Sequence, residues 1–122
     1  MTKKILVVDD AVTMRRLVTA TLKSAGFEVV DAANGKEALM KLEKDRFNLI
    51  ITDLNMPIMD GITFIKEVKK NPRHKFTPIV MLTTESGADK KDEGRKAGAK
   101  AWIVKPFKPN DLLGVVKKIV PF

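Results

Sequence analysis

Five apolar runs of strand length, Lys4–Val8, Phe27–Ala32, Asn48–Thr52, Pro78–Thr83 and Ala101–Lys105, recur along this chain, several of them rich in Val and Ile. Helix-period stretches fill the gaps. Met14, Leu17, Val18, Thr21 and Leu22 fall on an i, i+3, i+4, i+7, i+8 stripe, with Gly26 placed to stop that helix. Asn34 followed by Glu37 reads as an N-cap with a box-like partner, opening a helix through Ala38, Leu39 and Leu42. Asp60 is placed to cap a third helix carrying Ile62, Ile65 and Val68, and a fourth is predicted over Ala88–Ala97, stopping at Gly98. The last begins near Pro109, a residue suited to a first helical turn, and presents Leu112, Leu113, Val116, Ile119 and Val120. Strands that alternate with helices and are apolar along their whole length predict an α/β domain, its parallel sheet covered on both faces.

A length of 122 residues suits one domain. No linker, repeat or low-complexity segment interrupts the pattern and nothing follows the last helix, so we expect a single unit over 1–122 with no output domain. Hydrophobic residues at 44% and charged residues at 31% argue against disorder. The absence of cysteine excludes disulfides, thiolate zinc sites and thiol catalysis. No signal peptide is recognisable and no apolar stretch nears the ~20 residues of a membrane span, so a cytoplasmic protein with no membrane partner is expected. The net charge of +8 invites a nucleic-acid reading. Against it, the chain has no Tyr, one Trp, and Phe residues mostly inside apolar runs, whereas single-strand binders interleave cations with stacking aromatics. Nucleic acid is therefore not the expected partner. The excess sits late, +3 over residues 1–85 and +5 over residues 86–122, and its plain reading is a solvated basic face.

In open parallel sheets the ligand site lies at the carboxyl ends of the strands, where strand order reverses. Asp9 and Asp10 end the first strand, Asp53 the third, Thr83 the fourth and Lys105 the fifth. If the first and third strands are neighbours, three carboxylates share one pocket with a hydroxyl and an ammonium beside them. Two unit charges ~4 Å apart repel by about 4 kcal/mol at an effective dielectric near 20, so the cluster calls for a cation. Oxygen donors without Cys or His suit a hard dication, and Mg²⁺ fits because it shares its shell with waters and phosphate oxygens. An aspartate can attack phosphorus to form an acyl phosphate while a metal and a lysine neutralise the transferring oxygens. On that chemistry Asp53 is the candidate phosphoacceptor. Asp10 is expected to hold Mg²⁺ directly and Asp9 through water, with Lys105 and Thr83 contacting the phosphoryl group. Capping of the next helix by Asp9 and Asp10 is the plainer account, but it leaves Asp53, Thr83 and Lys105 unexplained.

The segments "VVDD", "DLNMPIMDG", "MLTTES" and "VKPF" resemble the receiver domain of two-component response regulators, and the likeness covers essentially the whole chain. Within it, "DDAVTMRR", "NMP" and an aromatic three residues before the lysine are most similar to the stand-alone chemotaxis regulators. The resemblance implies a flavodoxin-like, doubly wound sheet of five strands in the order 2-1-3-4-5 with five helices. It implies that Asp53 receives its phosphoryl group from a histidine kinase of the chemotaxis type. It also implies that the Asn55 backbone carbonyl joins Asp9, Asp10 and Asp53 at Mg²⁺, while the Asn55 side chain influences hydrolysis. Thr83 and Trp102 become a switch pair, and Lys105–Pro106 a cis peptide. Trp102 stands where Tyr or Phe is more usual, which bears on the balance between inactive and active forms. The fourth helix, fifth strand and fifth helix become an output face, here basic through Lys90, Lys91, Arg95, Lys96, Lys100, Lys117 and Lys118. Such a face suits an acidic partner.

The expected function is a monomeric signalling switch, not an enzyme, with a flagellar motor switch protein and a phosphatase as further partners. A phosphate sink or phosphorelay intermediate is the alternative. A Mg²⁺-dependent aspartyl-phosphate phosphatase is disfavoured because Asn55 stands where a general acid would be needed. Glu85 is placed to tune the pocket mouth. Met56 and Met59, flanking Pro57, are read as shaping the loop after the acceptor, and His74, in "NPRHKFTP", as a surface residue.

Overall fold

Parallel strands need a crossover that returns the chain to the same end of the sheet, and here each crossover is a helix. The structure is a computed structural model that describes residues 2–120. In chain order it runs β1 (Lys4–Val8), α1 (Val12–Ser24), β2 (Glu28–Ala32), α2 (Gly35–Lys44), β3 (Leu49–Thr52), α3 (Gly61–Lys70), β4 (Ile79–Thr83), α4 (Ala88–Ala97), β5 (Ala101–Val104) and α5 (Pro109–Ile119). These are the expected elements, with several strands one residue shorter at an end. All pair in parallel in the order β2-β1-β3-β4-β5, as the resemblance implied. Strand order reverses at β1 and β3. The register Val8↔Thr52 ends these two strands level, so Asp9 and Asp53 leave the sheet side by side.

Alternate residues along each strand feed two cores. Ile5, Val7, Leu49, Ile51, Val80 and Leu82 pack with Val18 and Leu22 of α1 and Leu112 and Val116 of α5. Leu6, Val8, Ile50 and Met81 pack the other way, against Ala38 and Leu42 of α2 and Phe64 and Ile65 of α3. Two caps form as the sequence predicts: Glu37 N–H donates to Asn34 Oδ1 and Thr63 N–H to Asp60 Oδ1, both at 2.8 Å. No helix among the described residues is long and apolar enough to cross a membrane.

The cover over β5 is thinner than expected. Only Gly94 of α4 is buried, because the helix is mostly charged. Trp102 fills the gap beneath it so closely that a Cβ at Gly94 would lie 2.6 Å from the indole. Leu17, placed on the buried stripe of α1, is instead 49% exposed.

His74 corrects the sequence reading outright, for it is 1% exposed where a surface residue was expected. Its Nε2 lies 2.7 Å from the Leu42 carbonyl, one of the last-turn carbonyls of α2 that no helical N–H can reach. The partner is a backbone atom 32 positions away, which no local pattern announces.

The loop after β3 holds Ile58 at φ 72°, a left-handed conformation that a β-branched residue adopts at a cost of roughly 1–2 kcal/mol. Its side chain is 75% exposed and gains little packing in return. Ile58→Asn should therefore raise stability by about 1 kcal/mol, since Asn tolerates this conformation. The change is read as a higher urea midpoint at unchanged slope.

Candidate functional site

β1 and β3 run directly into acids, and the loop before α5 supplies the opposite charge. Lys105 Nζ donates to Asp9 Oδ2 at 2.7 Å and to Asp53 Oδ2 at 2.9 Å, bridging residues 96 and 52 positions away. All three side chains are largely withdrawn from water: Asp9 is 3% exposed and Asp53 9%, and the Lys105 side chain 7%. The remaining oxygens are held by backbone. Asp9 Oδ1 accepts from Ala11 N–H at 2.9 Å and Asp53 Oδ1 from Leu54 N–H at 2.6 Å. Burial pushes the Lys105 ammonium towards losing its proton, but the hydrogen bonds and charges of Asp9 and Asp53 outweigh it and hold its pKa above the usual lysine value. The peptide that follows, Lys105–Pro106, is cis.

Asp10 completes the cluster from the exposed side. One carboxylate oxygen from each of Asp9, Asp10 and Asp53 lies within 4.8 Å of the others. Asp10 makes no side-chain hydrogen bond among the described residues, so of the three it has a carboxylate free to take a new ligand. Three carboxylates against one ammonium leave a local charge of −2, which a hard dication would neutralise. The donors, all oxygen, fit magnesium.

Thr83 is fully buried at the end of β4, next to β3 in the sheet. Glu85 N–H points to its Oγ1 at 3.4 Å. Trp102, on β5, donates its indole Nε1–H to the Glu85 carbonyl at 2.8 Å. Thr83, Glu85 and Trp102 are therefore joined through the first turn of the β4–α4 loop. The Glu85 carboxylate itself accepts from Gly87 N–H at 3.0 Å. Asn55 is exposed, two residues past Asp53, and makes no hydrogen bond among the described residues. Met56 and Met59 pack against the α2–α3 core, so the loop between them is anchored. Beside Trp102 an open groove of about 420 Å³ is lined by Ala88, Lys91, Asp92, Arg95 and Lys100.

Sequence reasoning missed two parts of this site. Gly61 donates its N–H to the Leu54 carbonyl at 2.7 Å, and a Cβ on it would lie 2.2 Å from the Asp53 carbonyl oxygen. Arg15 reaches the Asp9 carbonyl at 2.8 Å. Neither contact has a signature along the chain, although the glycine directly after the helix-capping Asp60 was a hint of close approach.

A doubly wound sheet with acids at its switch point and a lysine from the last loop defines a class of small α/β domains that manage a cation or a phosphoryl group beyond their strand ends. Residues 5–117 match the family described as the response regulator receiver domain, and the chain belongs to that family. It is similar to the chemotaxis protein CheY1 of Helicobacter pylori, 45% identical over 111 residues that cover 89% of this chain and 90% of that protein. Among solved structures it is similar to the chemotaxis protein CheY4 of Vibrio cholerae, with a TM-score of 0.95, 48% identity, and 98% of this chain and 100% of that one covered. It is similar as well to the receiver domain of a sensor histidine kinase from Pseudomonas aeruginosa, 25% identical with a TM-score of 0.91 and both chains fully covered. That structure holds a magnesium ion coordinated in its active-site cleft.

Proposed function

We propose that this chain is a phosphorylation-activated switch of a two-component system, chemotactic in kind, which takes a phosphoryl group onto Asp53 from a histidine kinase. One observation carries the reading: Lys105 bridges Asp9 and Asp53 while Asp10 keeps an unbonded carboxylate at the rim. Asp9, Asp10 and Asp53, with the Asn55 carbonyl, would hold Mg²⁺, and Asp10 is the member with no competing bond. The bound metal would supply positive charge against the transferring phosphoryl oxygens. A carboxylate oxygen of Asp53 attacks phosphorus, the bond from phosphorus to the donor imidazole breaks, and its electron pair returns to that nitrogen. Lys105 then exchanges its bond to Asp53 for one to a phosphoryl oxygen, and the Thr83 hydroxyl donates a second.

Drawing Thr83 toward the new group loosens its contact with Glu85, and Trp102 follows because its indole N–H is bonded to the Glu85 carbonyl. The change is thereby delivered to the α4–β5 groove, whose Lys91, Arg95 and Lys100 suit an acidic partner segment. A motor switch protein is the output this supports best. Turnover as a phosphatase lacks its proton carrier, since Asn55 holds the position where a general acid would be needed.

Trp102 is the chain's single tryptophan, so its emission reports this segment alone. Beryllofluoride with Mg²⁺ should change that emission, and chelating the metal should reverse it. A wild-type protein whose emission ignores beryllofluoride would defeat the proposal.

A further inference from the structure

Lys105 is not the acidic loop's only cation. Arg15, in the first turn of α1, donates from Nη1 to the Asp9 backbone carbonyl at 2.8 Å and from Nε to Asp31 Oδ2 on β2 at 2.9 Å. Its side chain is only 16% exposed, so the guanidinium is held in place. The root of the arm is fastened to the same loop, because Arg15 N–H donates to the Ala11 carbonyl at 2.9 Å.

We propose that Arg15 is a positioning residue for the metal centre: by spanning Asp31 and the Asp9 carbonyl it fixes the Asp9–Asp10 peptide plane and so aims the Asp10 carboxylate. The inference rests on the metal reading of the preceding section. The Asp9 side chain needs no such help, since Lys105 and Ala11 N–H hold both its oxygens. Asp10 is exposed and its side chain is unbonded, so the peptide that carries it decides where it points. That peptide has Arg15 on its carbonyl, and the peptide before it is held through Asp9 N–H to the Ala32 carbonyl at 3.1 Å. A guanidinium suits the task because its planar fork engages two acceptors at a fixed angle, which an ammonium cannot reproduce.

Charge and position make opposite predictions here. An arginine beside the acids repels an incoming dication, so if it acts by charge alone its removal tightens magnesium binding. If it acts by position, its removal weakens binding even though a repelling charge has gone. Outer partners of metal ligands are commonly worth 10–100-fold in affinity.

The test is calorimetric titration of MgCl₂ into unphosphorylated wild type, Arg15→Gln and Arg15→Lys at constant ionic strength. Both variants should bind about tenfold more weakly. Amide exchange at Ala11, whose N–H is bonded to Asp9 Oδ1, should also quicken in the metal-free variants. A tighter Arg15→Gln with an unchanged Arg15→Lys overturns the proposal, as does unaltered amide exchange in both. Should Arg15→Gln fail to fold, Arg15→Lys alone decides, because charge predicts no change for it and position predicts a loss. Magnesium uptake by the wild type with no loss in either variant removes the clamp and leaves the metal reading standing. A wild type that takes up no magnesium removes both.

Discussion

Asp53→Asn should take up no phosphoryl group from acetyl phosphate and Mg²⁺ under conditions that load the wild type, as read by intact mass. The substitution is nearly isosteric and its consequences for folding are small. The amide oxygen still accepts from Leu54 N–H, and Lys105 keeps its partner at Asp9. The repulsions from Asp9 and Asp10 and the desolvation of a buried charge disappear together with the attraction to Lys105, so the metal-free variant should have a slightly raised urea midpoint. The chemistry does not survive, because an amide lacks the carboxylate nucleophile that forms the acyl phosphate. Asp10→Asn is the informative companion: it keeps the acceptor and removes the free ligand, so it should slow uptake without moving the phosphoryl group elsewhere. A phosphoryl group found on Asp53→Asn would dismiss Asp53 as the acceptor.

Gly61→Ala is expected to cost about 3 kcal/mol, the upper end of what overpacking does to a closed core. A Cβ there would lie 2.2 Å from the Asp53 carbonyl oxygen and 2.9 Å from the Leu54 Cα. Both neighbours are backbone, and neither can rotate aside. The Gly61 N–H bond to the Leu54 carbonyl pins the helix to that loop, so relief must come from moving the loop that carries Asp53 or from breaking the bond. Displacing a reacting carboxylate by about 1 Å can cost on the order of 100-fold in rate, so phosphoryl uptake should fall together with stability. Gly94 makes the contrast. There the obstacle is an indole at 2.6 Å, the far end of a side chain that can swing away. An urea midpoint for Gly61→Ala equal to that of the wild type would show that the close approach has slack.

The strand ends were the legible part of the site. Asp9, Asp53 and Thr83 each directly follow or end an apolar run, and the rule that ligands gather at carboxyl ends converts that placement into proximity. Lys105 was legible as a strand end too, although the strand closes at Val104 and the lysine belongs to the loop beyond it. His74 went the other way. Its neighbours Arg73 and Lys75 are exposed, and its own burial follows from the Leu42 carbonyl.

Alternating periodicity, capping residues and the position of each acid relative to an apolar run are local quantities, and they sufficed for the class of fold, the order of its elements and the residues at the mouth of the sheet. Which of those residues touch was settled by the tertiary structure. The Lys105 bridge, the bond from Arg15 to the Asp9 carbonyl, the contact of Gly61 with the loop that carries Asp53 and the tie from Trp102 to Glu85 join atoms brought together by strand register and loop path. A chain reads out its periodicities one turn at a time, whereas the distance between two carboxylates depends on every crossover between them.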